Sequence, residues 1–278
     1  MIYLYAYTNH RADLDHLRRM GALWRALERR GVPAEIIVND YRAQLAGREL
    51  GLPLATTVEN IMELDALVTR GDTLVIDSPE EAGERLGYYV EKYREVWRVS
   101  ECGEAPRYGE KILEAWKEGA VVDPLYAEGV GEKAARRVLI YGDTDQDRRL
   151  LEAAPDLAVL DLELYWGIYF YVKYEEELAK HFRVIHEDEE YAELIQSSET
   201  VITAMPQTAA EAAAAGARVV WLDRGENAAC VSDTLREAGV RGLPWGAWEE
   251  LGAALKDLSP VDGVDNRVEK WAELLSTR

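Results

Sequence analysis

The chain has 278 residues, 48% hydrophobic and 30% charged, which places it among globular chains and gives it enough length for two cores. Its 52 Asp and Glu against 32 Lys and Arg leave a formal charge of −20. Such a surface repels nucleic-acid backbones and anionic membranes, so no nucleic acid and no membrane insertion are expected. The opening MIYLYAYTNHR carries no basic leader, and no apolar run approaches the roughly 18 residues of a membrane span, so the expected compartment is cytoplasmic. The two cysteines, Cys102 and Cys230, have no metal-type spacing.

In chain order, short apolar runs alternate with amphipathic stretches. IYLYAY (2–7) predicts the first strand. A helix follows, with Leu17, Met20, Trp24 and Leu27 on one face and Gly31 as its stop. AEIIV (34–38), TLVID (73–77) and EVWRV (95–99) predict further strands. Residues 121–137, with Pro124, Gly129 and Gly131, lose the apolar period and read as a linker. Beyond it, VLIY (138–141), LAVLD (157–161), FRVI (182–185), TVITA (200–204) and RVVWL (218–222) predict strands between helices.

Repeated strand–helix units imply parallel sheets covered on both faces. The expected fold class is α/β: two Rossmann-like αβα domains facing an inter-domain cleft. Residues 1–122 would form the first domain and 138–262 a second, nucleotide-binding type. Residues 263–278 would form a helix returning to the first.

In open α/β sheets ligands bind beyond the carboxyl ends of the strands, and four such loops carry polar residues. The first, RADLDHLRRMG (11–21), has Asp13 placed to cap the helix, Asp15 to favour its positive end, and His16 in its first turn. His16 is also the natural candidate for a general base, since imidazole titrates near working pH. The second, YGDTDQD (141–147), joins Gly142 and Thr144 to acidic residues in a ligand loop or an ordinary capped turn. The third, TAMPQTAAEAAAAG (203–216), has Thr208 and Glu211 in capping-box spacing. Free amides at that helix start could hold a phosphate, and Glu211 could accept from a ribose hydroxyl. The fourth, LDRGENAAC (222–230), has Glu226 and Asn227 starting another helix.

YWGIYFYVKY (165–174) brings together Tyr165, Trp166, Tyr169, Phe170, Tyr171 and Tyr174, a packed core or a homo-oligomer contact. HEDEEYAEL (186–194) reads as an acidic first helical turn in solvent, with no clear metal geometry at His186.

The order of these loops resembles that of two-domain B-type glycosyltransferases. It is most like the UDP-sugar hydrolases of pseudaminic acid biosynthesis and their spore-coat polysaccharide relatives. The family's G-x-G-H-x-x-R loop is matched by D-L-D-H-L-R-R (13–19), and its G-G-x-D loop by Y-G-D-T-D (141–145). Its later small-residue loop with a Glu-bearing helix is matched by TAMPQTAAEA, its Asn-bearing helix start by LDRGEN, and its apolar strand ending in Asp by TLVIDS (73–78). The resemblance implies a nucleotide-activated sugar as substrate and His16 as the residue that activates water. It implies that Glu211 holds the ribose and Asn227 contacts the substrate; Asp13, Asp15, Arg19, Asp77, Gly142, Thr144 and Thr208 are the further candidate substrate-binding residues. No organic cofactor is implied.

Asp13, Asp15 and Asp143 stand where the family has glycine. Glycine lets backbone approach a diphosphate, whereas a carboxylate about 5 Å away costs roughly 3 kcal/mol at an effective dielectric of 20. Two other readings therefore stand beside the hydrolase or transferase. One is a catalytically inactive relative that binds a sugar, a nucleotide or a protein. The other uses Asp13, Asp15 and His16 as ligands of a divalent metal that carries the phosphate.

Overall fold

The computed structural model describes residues 1–9, 13–53, 55–128, 131–170, 172–187 and 190–277. It divides into two compact units. The N-terminal unit comprises Met1–Asn9, Leu14–Asp123 and the chain from Asn266 onward; the C-terminal unit comprises Asp13 and Pro124–Asp265.

The strands of the N-terminal unit are β1 (Ile2–Ala6), β2 (Ala34–Val38), β3 (Thr56–Thr57), β4 (Thr73–Asp77), β5 (Glu95–Ser100) and β6 (Lys111–Glu114). They form one parallel sheet in the order β3-β2-β1-β4-β5-β6. The order reverses direction between β1 and β4, whose carboxyl ends lie side by side with Ala6 opposite Asp77. All five residues of β4 are buried, as expected for a central strand covered on both faces.

Its helices are α1 (Asp15–Arg29), α2 (Tyr41–Glu49), α3 (Glu84–Lys92) and, from the far end of the chain, α10 (Val268–Ser276). In α1, Leu17, Met20 and Leu27 are buried on the predicted face, and Gly31 closes the helix at φ +68°. The helix α10 packs on α1 with Trp271 fully buried, and Arg30 pairs with Glu269 at 2.8 Å. Asn266 secures its entry by bonding both the amide and the carbonyl of Val122.

The C-terminal unit alternates β7 (Ala134–Ile140), α4 (Arg149–Leu157), β8 (Glu163–Tyr165), α5 (Val172–Leu178), β9 (Ile185–His186) and α6 (Tyr191–Ser197). Then come β10 (Ser198–Thr203), α7 (Pro206–Ala214), β11 (Arg218–Asp223), α8 (Ala229–Glu237), β12 (Arg241–Pro244) and α9 (Trp248–Ala254). Its sheet is also parallel, in the order β12-β11-β10-β7-β8-β9. The core joins Leu139, Ile202, Val220 and Leu243 from neighbouring strands to Leu150, Ala154 and Leu157 of α4 and Leu178 of α5.

Some expectations need correction. LAVLD (157–161) is not a strand. Leu157 ends the buried α4 face of Leu150, Ala153, Ala154 and Leu157, at helical spacing, and a tight turn over Ala158–Leu160 follows. The strand there is β8, two residues beyond the expected one. FRVI contributes only Ile185 to a strand, because Phe182 turns into the core. The linker expected through residue 137 gives way to β7 at Ala134, where the half-buried Arg136 and exposed Arg137 hide the strand pattern.

The aromatic stretch is interior. Tyr165, Tyr169, Phe170 and Tyr174 are buried in their own unit, with Phe170 and Tyr174 edge to face at 5.5 Å. Tyr171 lies outside the described residues. His186 ends β9 and is buried, bonded to Glu163 at 2.8 Å, while the acidic Glu187 after it is exposed. Asp188 and Glu189 lie outside the described residues. Among the described residues, no helix is long and apolar enough to cross a membrane.

Candidate functional site

In the N-terminal unit, polar side chains gather at the carboxyl end of the sheet. The first turn of α1 presents His16 and Arg19, the end of β4 presents Asp77, and Glu101 follows β5. His16 Nδ1 lies 2.6 Å from Asp77 Oδ1. Arg19 grips the same carboxylate with Nε at 2.9 Å and Nη2 at 3.0 Å, and reaches Glu101 at 2.9 Å. Asp77 and Arg19 are almost fully buried, while His16 retains 19% side-chain exposure.

Burial alone would push the Asp77 carboxyl up. The Arg19 guanidinium, and then His16, instead hold it well below the usual carboxylate range. Burial would lower Arg19 in turn, but Asp77 and then Glu101 raise it. The pair is ionised at any working pH.

That fixes the histidine tautomer. An ionised carboxylate 2.6 Å from a bare ring nitrogen would set two lone pairs against each other. Nδ1 therefore carries a proton and donates it to Asp77, so in the neutral ring the lone pair lies on Nε2. Arg19 Nη2 also approaches Nδ1, at 2.9 Å, but its hydrogen bonds go to Asp77 and Glu101. One arginine thus faces two carboxylates. This is the base-and-orienter arrangement of acid–base catalysis.

Asp15 stands in the first turn of α1, at its positive end as expected, but Asp13 does not cap the helix. The residue before α1 is Leu14, which makes no side-chain cap. Asp15 pairs at 3.5 Å with the buried Arg18. Asp13 groups with the C-terminal unit, where its Oδ1 accepts from the Asp143 amide at 2.7 Å and its Oδ2 meets Arg224 at 3.2 Å. Capping is worth about 1 kcal/mol, less than a charge-assisted bond combined with an arginine pair. The two carboxylates and the imidazole are committed to different partners. Among the described residues, no group of three or more His, Cys, Asp or Glu is arranged to hold a metal ion.

In the C-terminal unit the β7–α4 loop is held from several sides. Asp145 accepts from the Leu150 and Leu151 amides and from the Tyr174 hydroxyl, and so caps α4. Burial nevertheless pushes its carboxyl up, against those hydrogen bonds. The Asp143 carbonyl accepts from the Tyr169 amide at 2.9 Å. Thr144 is buried. At Gly142 a side chain would meet Asp13 Oδ1 at 2.7 Å, so the glycine admits the carboxylate.

Gly167 is the tightest point, because a Cβ there would lie 2.5 Å from the Gly142 carbonyl oxygen and 2.7 Å from Asp143 Cα. Both neighbours are backbone and cannot rotate away. Gly167→Ala should therefore displace the loop and lower stability by about 1–3 kcal/mol in urea unfolding. An unchanged midpoint would show that the loop is slack.

The third loop is not a capping box. Pro206 starts α7 as its first residue, which makes Met205 the cap position and puts Thr208 inside the helix. Thr203 Oγ1 accepts from the Met205 amide instead. Thr208 and Glu211 are both buried and meet Tyr191, whose hydroxyl lies 2.9 Å from Thr208 Oγ1 and 2.5 Å from Glu211 Oε2. Gln207 occupies Glu211 Oε1 at 3.1 Å.

In the fourth loop α8 starts at Ala229, not at Glu226 or Asn227, because the Asn227 amide turns back to Asp223 at 3.3 Å. Glu226 pairs with Arg149 at 3.0 Å. Arg224, Tyr191 and Glu101 were not foreseen. Arg224 offered a signal, as a basic residue directly after a strand in a very acidic chain.

No family model matches the chain, and no characterised protein matches it in sequence. Solved structures do match in shape. A UDP-GlcNAc 2-epimerase from Methanocaldococcus jannaschii, in complex with UDP-GlcNAc and UDP, superposes with a TM-score of 0.58 at 13% identity, over 99% of each chain. A UDP-GlcNAc 2-epimerase from Neisseria meningitidis bound to UDP-GlcNAc gives 0.56 at 9% identity, over 100% of each. A glycosyltransferase involved in avilamycin A biosynthesis gives 0.51 at 16%, over 99% of this chain and 92% of its own. The fold is that of the two-domain B-type glycosyltransferases. At these identities the likeness establishes architecture and leaves chemistry to the side chains.

Proposed function

We propose that the chain acts on a nucleotide-activated sugar, as a UDP-sugar hydrolase or transferase in surface-glycan or nonulosonic acid synthesis. The observation that carries this reading is the His16–Asp77 pair, a histidine with one nitrogen anchored on a buried carboxylate and the other free. In the hydrolytic case His16 Nε2 takes the proton from water as the oxygen attacks the anomeric carbon. The bond from that carbon to the phosphate oxygen breaks, and the nucleotide leaves with the electron pair. The same base would serve an acceptor hydroxyl in transfer.

The nucleoside diphosphate would be held by the C-terminal unit, at the Gly142–Thr144 loop and the start of α7. Support comes from shared fold with neighbours that hold UDP or UDP-GlcNAc. Glu211 would take a ribose hydroxyl where Tyr191 gives up its place on Oε2. A competing observation favours the binding-only reading, since the Asp13 carboxylate already occupies the Asp143 amide.

Thermal melts with UDP, other nucleotides and nucleotide sugars, with and without magnesium or manganese, test the proposal alongside assays for released sugar. Ligand at a hundred times its Kd should stabilise the fold by about 2.7 kcal/mol. A shift with UDP and release of free sugar is expected. Stabilisation without turnover would leave the binding module, and a shift only with metal would revive the metal-assisted reading. No shift with any nucleotide would overturn the proposal.

A further inference from the structure

Asp13 sits in a receptor built for an anion. One oxygen takes the Asp143 amide at 2.7 Å, and the other takes the Arg224 guanidinium at 3.2 Å. Arg224 is largely buried, with 17% side-chain exposure, and lies over the Tyr141 ring at 5.5 Å from its centroid. Its second acidic neighbour, Glu226, stands at 3.8 Å and is mostly exposed. A backbone amide and a planar guanidinium aimed at one point are what an oxyanion needs, whether carboxylate or phosphate.

The surroundings keep this receptor in shape. Gly142 leaves the space that Asp13 fills, and Gly167 backs the loop from the other side at backbone contact. The Tyr169 amide donates to the Asp143 carbonyl at 2.9 Å, which ties down the peptide next to the receptor amide. Burial pushes the Tyr141 hydroxyl up to about 12, and it stays neutral beneath the guanidinium. Among the described residues, Arg224 supplies the cationic side of the receptor.

We propose that Arg224 and the Asp143 amide form the phosphate receptor of the C-terminal unit, and that the Asp13 carboxylate is its internal occupant, displaced by a multiply charged phosphate. The inference deepens the nucleotide-sugar reading and rests on it for the choice of ligand. It also gives Asp13, which stands where the resembled family has glycine, a defined effect. A ligand must compete with a tethered anion, so affinity for phosphates is set by that competition as well as by contacts. The intact protein is expected to bind phosphates weakly at neutral pH.

Calorimetry with inorganic pyrophosphate and with UDP, under a chelator, tests this on the full chain. Asp13→Asn keeps an oxygen for the amide and removes the charge, and Asp13→Ser serves as a second variant should the first unfold. Either substitution should tighten pyrophosphate by about tenfold or more at low salt, with the gain shrinking as salt rises. Adding Arg224→Gln to Asp13→Asn should cancel the gain. The proposal is overturned if neither variant tightens pyrophosphate, or if the gain survives loss of Arg224. The nucleotide reading is judged separately, by UDP against pyrophosphate. A variant that gains for pyrophosphate and shows no preference for UDP keeps the receptor and removes the nucleotide.

Discussion

Asp77→Ala should destabilise the protein by about 3–5 kcal/mol, the cost of stripping one partner from a buried ion pair. The number is this large because Arg19 cannot follow its charge into water. Its side chain is 3% exposed and loses two bonds to Asp77, and the acid it keeps among the described residues is Glu101, a carboxylate with 43% exposure. Chemical denaturation at pH 7 measures the loss, and a difference below about 1 kcal/mol would mean that Arg19 re-pairs.

The pH dependence separates this charge effect from a cavity. The Asp77 carboxyl is depressed in the folded state, so its stabilisation is complete above the unfolded value of about 3.9. It is lost as pH falls below that value toward the folded one, because only the unfolded chain then takes up the proton. Parent and variant should therefore differ by a constant amount from pH 7 down to about 5, and converge only in stronger acid. A gap that stays open throughout would point to packing instead.

How much of this was legible depended on burial. Strands β2 and β4 match their predicted ranges because both are short runs of Ile, Val and Leu with turn residues on either side. Strands β3 and β12, at the sheet edges, have two and four residues and no such run. Nothing in LYWGIYF separates β8 from the aromatic turn beyond it. Chain order alone does not show which strands are neighbours. The meeting of Arg19 with Glu101 depends on β4 pairing with β5, and 82 residues separate them.

The site divides along the same line. His16 was readable from its place before an amphipathic helix, and Asp77 from its place at a strand end. Asp13 was readable as a cap or, with Asp15 and His16, as a metal ligand, since local spacing is all a sequence displays, while the Asp143 amide and Arg224 that it meets lie 130 and 211 residues away. Thr208 and Glu211 had the capping-box spacing, but Pro206 set the helix start by fixing its own φ and lacking an amide proton. The shared Tyr191 comes from the helix before β10, and only tertiary packing brings it there.

His16→Asn should lower the rate of nucleotide-sugar cleavage by about 10²–10⁴-fold, the usual contribution of a positioned general base. Substrate affinity should change little, because the side chain is replaced by one of similar polarity and Asp77 keeps Arg19. The stronger test uses the partner. Asp77→Asn offers an amide N–H to His16 Nδ1 where the carboxylate accepted one, which turns the ring to the tautomer with its proton on Nε2. A ring protonated there has no lone pair for water, so this variant should lose rate comparably even though His16 is intact. Binding measured by calorimetry should persist in His16→Asn. A variant that keeps parent activity would make His16 a surface residue of the helix start. Loss in His16→Asn with full activity in Asp77→Asn would keep the base and remove its orienter.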